Sequence, residues 1–129
     1  MAQNVLIVDD DKFLLDMYAM KFSEQGFSVM TAMNGTDALT KLSAKDVTPD
    51  IVLLDIVMPG TDGFEVLAQI KEKKLIPTSL IIVLSNLGQK EDIDKGMSLG
   101  ADGYIVKASA TPTEVVAKVR EIAGAKTHA

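Results

Sequence analysis

Ile51-Val52-Leu53-Leu54-Asp55 decides how this chain folds: four consecutive apolar residues, then an acid. A run this short is too brief for a helix. Being apolar on successive residues rather than alternating, it reads as a strand buried on both faces, as in a parallel sheet covered by helices. The same signature recurs at residues 5–8 and 80–84, more briefly at 104–106, and in a mixed form at 27–32. Between these runs the apolar spacing turns helical. Residues 12–25 place Leu14, Leu15, Tyr18 and Phe22 on one face and stop at Gly26, a residue suited to the left-handed position past a helix end. Residues 36–45 group Ala38, Leu39 and Leu42, and residues 64–73 group Phe64, Val66, Leu67 and Ile70. Residues 90–99 are the weakest, offering Ile93 and Met97 as the buried face and an internal Gly96 that costs about 1 kcal/mol against Ala. Thr111-Pro112-Thr113-Glu114 is a capping box with Pro at the first helical position, ahead of Val115, Val116, Val119 and Ile122. A strand-helix pair repeated five times, with short connections, implies right-handed crossovers and an open parallel sheet with helices on both faces.

Composition narrows the function. The 129 residues are 47% hydrophobic and 24% charged, which suits a single folded domain and excludes a disordered or low-complexity chain. We expect one domain over 1–129, its core at about 4–124 and a C-terminal tail at 125–129, with fraying from Ala123 onward. A formal charge of −5, with Arg120 the sole arginine, argues against a nucleic-acid partner, whose phosphates need clustered cations. The absence of Cys removes disulfides, thiolate metal sites and Cys nucleophiles together. No basic and apolar leader opens the sequence and no apolar stretch reaches about 18 residues, so the expectation is a cytoplasmic protein with no membrane contact.

In an open doubly wound sheet, ligands bind beyond the carboxyl ends of the strands. The residues there are Asp9, Asp10 and Asp11 after the first run, Asp55 after the third, Ser85 and Asn86 after the fourth, and Lys107 after the fifth. Three acids in the first loop would repel a nucleotide phosphate, which wants glycine-rich amides at that place. A divalent cation fits better. Two carboxylates about 4 Å apart repel by roughly 4 kcal/mol at an effective dielectric near 20, and a cation removes that penalty. All-oxygen ligands without His or Cys suggest Mg²⁺, which retains open positions where a phosphoryl group can enter. Together with a Lys and a hydroxyl, such a site can stabilise the equatorial oxygens of a transferring phosphoryl group, with a carboxylate as nucleophile.

Four motifs then carry a resemblance: Leu6-Ile7-Val8-Asp9-Asp10-Asp11; the stretch from Pro49 through Asp55, Met58 and Pro59 to Gly63; Val83-Leu84-Ser85; and Gly100-Ala101-Asp102-Gly103-Tyr104-Ile105-Val106-Lys107. In order and at the ends of the right strands, they resemble the receiver domain of two-component response regulators, of the stand-alone chemotaxis type. The resemblance implies a flavodoxin-like (βα)5 fold with strand order 2-1-3-4-5. It implies phosphoryl transfer from the phosphohistidine of a histidine kinase or histidine phosphotransfer protein onto Asp55. Asp10 and Asp55 would ligate Mg²⁺ directly, with the backbone carbonyl of Val57 and, through water, Asp9. Lys107 and Ser85 would bind phosphoryl oxygens, Ser85 moving toward the phosphate on activation while Tyr104 rotates inward behind it. The output face would comprise the fourth helix, fifth strand and fifth helix, binding a downstream protein or a second copy of the chain.

Each residue also has a plainer reading. Asp9 to Asp11 alone are helix N-cap and first-turn charges, and Asp11 keeps that role here. Asp55 alone is a turn residue ahead of Met58-Pro59, Ser85 a helix cap, and Lys107 a solvated strand end. Tyr104 alone is an edge aromatic with its hydroxyl in water. His128 lies in the tail with no acid nearby in sequence and is given no ligand or phosphodonor role, and the seven Met are filler. Two departures from the family pattern stand out. Lys107 precedes Ala108 where the family has Pro after a cis bond; a cis bond before Ala costs about 3 kcal/mol or more, so a trans bond and an altered loop to Thr111 are expected. The positions two after the acceptor and two after the hydroxyl hold Val57 and Leu87. In the family these positions influence how water attacks the phosphoryl group; neither side chain here can orient a water by hydrogen bonding, so slow autodephosphorylation is expected. Two competing functions remain open on residues alone: an Mg²⁺-dependent phosphohydrolase working through an aspartyl phosphate, which would want an acid where Val57 stands, and a binding module that is never phosphorylated.

Overall fold

The computed structural model describes residues 3–44 and 48–127, with side chains up to 124. In chain order the elements are β1 (Asn4–Val8), α1 (Lys12–Glu24), β2 (Ser28–Ala32), α2 (Gly35–Ala44), β3 (Ile51–Leu54), β4 (Val57–Met58), β5 (Thr61–Asp62), α3 (Gly63–Glu72), β6 (Leu80–Ser85), α4 (Lys90–Ser98), β7 (Gly103–Val106) and α5 (Pro112–Thr127). Five strands form one parallel sheet in the order β2-β1-β3-β6-β7, and β4 pairs antiparallel with β5 as a separate two-stranded ladder. With that ladder set aside, the order is the expected 2-1-3-4-5 of a flavodoxin-like fold. The strand order reverses between β1 and β3, which pair Val5↔Ile51 through Val8↔Leu54.

Successive side chains of a strand point to opposite faces, so each apolar run feeds two cores. Leu6, Val8, Val52, Leu54, Ile81 and Val83 pack under Ala38 and Leu42 of α2 and Phe64, Leu67 and Ile70 of α3. Val5, Ile7, Ile51, Leu53, Ile82 and Leu84 pack under Leu15, Tyr18 and Phe22 of α1 and Val115, Val116 and Val119 of α5. That is why these runs show no alternation.

Local signals act as read. Asp11 caps α1 by accepting from the Leu14 N–H at 3.2 Å, and Gly26 takes φ +94° past its end. Thr111 and Glu114 bond reciprocally at 2.9 and 3.2 Å to open α5. Arg120 of α5 reaches over the Phe27 ring and donates to the Gln25 carbonyl, tying α5 to the α1–β2 turn.

Two expectations need correction. The buried contact of α4 is Gly96, over which the Tyr104 ring lies close, whereas Met97 is 44% exposed. Ala123 is buried and α5 runs on to Thr127, so fraying from Ala123 does not hold. The Met58-Pro59 turn is the tip of the β4–β5 ladder, whose two-residue strands are too short to show a period. After β7 the chain makes a 3-10 turn, Lys107–Ser109, and no cis peptide occurs among the described residues, in line with the trans bond expected at Lys107-Ala108. His128 lies outside the described residues. No helix among those described is long and apolar enough to cross a membrane.

Candidate functional site

The parallel sheet delivers Asp9, Asp55, Ser85 and Lys107 to one edge, because each ends or directly follows a strand running the same way. The ladder continues into the acids: the Asp9 N–H donates to the Ala32 carbonyl at 3.0 Å and the Asp55 N–H to the Val8 carbonyl at 3.0 Å. Both acids therefore have backbones fixed by the sheet. Gly63, at the start of α3, presses against the backbone of Asp55 and Ile56. A Cβ at Gly63 would stand 2.3 Å from the Asp55 carbonyl oxygen and 2.5 Å from Ile56 Cα, so the position admits only glycine.

Asp9 and Asp55 are almost wholly buried, and Asp10 is half-buried. One carboxylate oxygen from each of the three lies within 4.8 Å of the others. Asp9 accepts from the Asp11 N–H at 2.9 Å, and Asp55 accepts from the Ile56 N–H at 2.8 Å. The Lys107 ammonium, its side chain only 8% exposed, donates to Asp9 at 2.6 Å and to Asp55 at 3.2 Å. This overturns the plain reading of a solvated lysine. Burial pushes the Asp55 carboxyl above the usual range; the Lys107 charge opposes that, and the Asp9 charge adds to it. Burial would lower the Lys107 ammonium, but the Asp9 hydrogen bond and the Asp55 and Asp9 charges outweigh it and hold it raised. The cluster carries more negative charge than one lysine offsets. Its donors are all carboxylate oxygens, hard ligands in a half-open pocket, and this chemistry fits Mg²⁺.

The acids and Lys107 line a cleft of about 330 Å³ together with Ser85 and Val57. Ser85 is fully buried; its hydroxyl accepts from the Leu87 N–H at 3.3 Å and also interacts with the Tyr104 hydroxyl. Val57 stands at the rim, 60% exposed. Tyr104 does not line the cleft. Its ring is half-buried against Gly96, and its hydroxyl donates to the Leu87 carbonyl at 2.5 Å; burial raises its pKa, with Asp92 and Asp55 adding to the rise. The ring is thus already turned in, not out in water. Asn86, which follows the fourth apolar run, lines the cleft as its place at the strand end implies, whereas sequence reasoning missed Leu14. Leu14 was assigned wholly to the core, although its place in the first turn of α1, next to three acids, was the available signal. Tyr18, read as core, is buried as expected, and it also lies within electrostatic reach of Lys107, Asp9 and Asp55.

A family model for the response regulator receiver domain matches residues 5–120. Among solved structures, the chain is similar to a CheY-like response regulator receiver domain protein from Methanospirillum hungatei, at 27% identity and TM-score 0.85, with 100% of both chains covered. It is similar to a chemotaxis response regulator of Vibrio cholerae, at 26% identity and TM-score 0.84 over 95% of this chain and 99% of that one. A third likeness is to DrrB, an OmpR/PhoB homologue of Thermotoga maritima, at 30% identity and TM-score 0.82; it covers 98% of this chain and 54% of that longer one.

Proposed function

The chain belongs to the response regulator receiver domain family, and on that footing we propose that it is a phosphorylation-controlled switch whose acceptor is Asp55. A carboxylate oxygen of Asp55 attacks the phosphorus of a phosphohistidine on a histidine kinase or histidine phosphotransfer protein. The P–N bond breaks, the imidazole leaves with the electron pair and takes up a proton, and the phosphoryl group stays on Asp55. Asp10, Asp55 and the Val57 carbonyl would hold Mg²⁺, with Asp9 through water; when bound, the ion supplies positive charge for the phosphoryl oxygens. Lys107 takes a second share of that charge and Ser85 donates its hydroxyl proton to a further oxygen.

The observation that carries this reading is the Lys107 bridge between Asp9 and Asp55, buried in one cleft with Ser85. Phosphorylation adds about −2 of charge there. Tyr104 already contacts the Leu87 carbonyl and Gly96, so displacement of Ser85 or Leu87 passes to α4, β7 and α5, the face we assign to a downstream partner or a second copy. Turnover as a phosphohydrolase lacks support, because the residue placed to act as the acid is the exposed Val57.

Incubation with Mg²⁺ and acetyl phosphate tests the proposal. A stoichiometric mass gain that disappears in Asp55→Asn supports the switch. Repeated phosphate release would make the protein a hydrolase, and no change at all would make it a binding module.

A further inference from the structure

We infer that Asn86 is a phosphoryl-binding residue of this cleft, its carboxamide N–H donating to an oxygen of the group carried by Asp55. The inference rests on the phosphoacceptor reading above and adds a residue to it. Asn86 directly follows Ser85 at the end of β6, lines the cleft and is exposed at its mouth. Among the described residues its side chain has no hydrogen-bond partner.

The donor inventory of the cleft points to this role. Ionised Asp9, Asp10 and Asp55 can only accept, and Asp11 already accepts from the Leu14 N–H. Leu14, Val57 and Leu87 offer neither donor nor acceptor in their side chains. Lys107 is shared between two carboxylates, and Ser85 supplies one proton. Each phosphoryl oxygen can accept more than one hydrogen bond, and the carboxamide is the remaining side-chain donor in the lining that is committed to nothing. A neutral amide also suits the position, since another acid at the mouth would repel the incoming anion.

The test measures phosphorylation by acetyl phosphate with Mg²⁺, followed by intact mass, for wild type, Asn86→Ala, Asn86→Asp, Asn86→Gln and Asp55→Asn. Melting temperature and Mg²⁺ affinity are recorded for each. Asn86→Ala should slow the reaction about tenfold, the loss typical of one hydrogen bond to a charged group, with folding and metal affinity unchanged. Asn86→Asp should be slower still, and Asn86→Gln should recover part of the rate. A rate for Asn86→Ala equal to or above that of wild type overturns the inference and makes Asn86 a bystander or an obstruction. Failure of wild type to gain mass, or a gain that persists in Asp55→Asn, instead overturns the acceptor reading and this inference with it.

Discussion

Lys107 closes to 2.6 Å on Asp9, 98 residues earlier in the chain, and stands 3.2 Å from Asp55. The lysine therefore leans on the acid that is not the proposed acceptor. Such an arrangement holds the ammonium in the cleft before any phosphate arrives, at the expense of leaving Asp55 the less neutralised partner.

Replacing Lys107 by Met should leave Asp9 and Asp55 buried without their counter-charge. We expect a loss of about 3 kcal/mol in stability at neutral pH, measured by urea unfolding in the presence of a chelator. Added Mg²⁺ should restore part of it. Equal stability of the variant and wild type would mean that the ion pair does no more than fill space.

Asp55→Asn should have the opposite sign. Burial raises the Asp55 pKa in the folded state, so the favourable contribution of its protonated form is complete below the unfolded pKa and is lost as pH rises through the folded one. At neutral pH the ionised acid is a burden that a neutral amide removes. Without metal, the melting temperature of Asp55→Asn should exceed that of wild type by a few degrees. The gap should close on acidification, and a variant less stable at every pH would show that the Lys107 contact outweighs burial.

Val57 and Leu87 offer an attacking water no hydrogen bond, so once formed the aspartyl phosphate should persist. Val57→Asn places an amide at the exposed rim and should shorten the half-life several-fold, followed as phosphate release after removal of the donor. Equal half-lives would remove these positions from the account.

Gly96→Ala would ordinarily add about 1 kcal/mol to a helix. Here the new Cβ would meet the Tyr104 ring at 3.1 and 3.2 Å, contacts tighter than the packing tolerates without a shift. We expect no gain in wild type and a gain in a Tyr104→Ala background, so that a double-mutant cycle gives a coupling of about 1 kcal/mol. Additive effects would show that the tyrosine gives way freely.

The strand ends were legible because burial on both faces leaves an unmistakable apolar run, and a charge that interrupts such a run must lie at the sheet's edge. Asp9, Asp55 and Lys107 announce themselves in that way, and Ser85 and Asn86 do so as polar residues at the end of a run. Leu14 does not: a leucine in a helix has an ordinary explanation, and only tertiary placement puts it in the cleft. Gly96 was legible as a weakness in α4 but not as the berth of an aromatic ring, since that contact joins residues whose spacing carries no period. The β4–β5 ladder was hidden for want of length, and the extent of α5 because small residues such as Ala123 and Gly124 signal a fraying end as readily as a continuing helix.

The pairing of β1 with β3 divides the site by sequence as well as by space. Asp9 and Asp10 come before α2, while Asp55, Ser85 and Lys107 come after it, and the two groups are brought together by the pairing of Val5 to Val8 with Ile51 to Leu54 and by the Lys107–Asp9 contact. A polypeptide severed between α2 and β3 would hold no complete pocket in either fragment. Mixing the fragments would rebuild it by rejoining the β1–β3 seam of four residue pairs together with the packing of α1 on α5, and phosphate acceptance would then report fragment complementation directly.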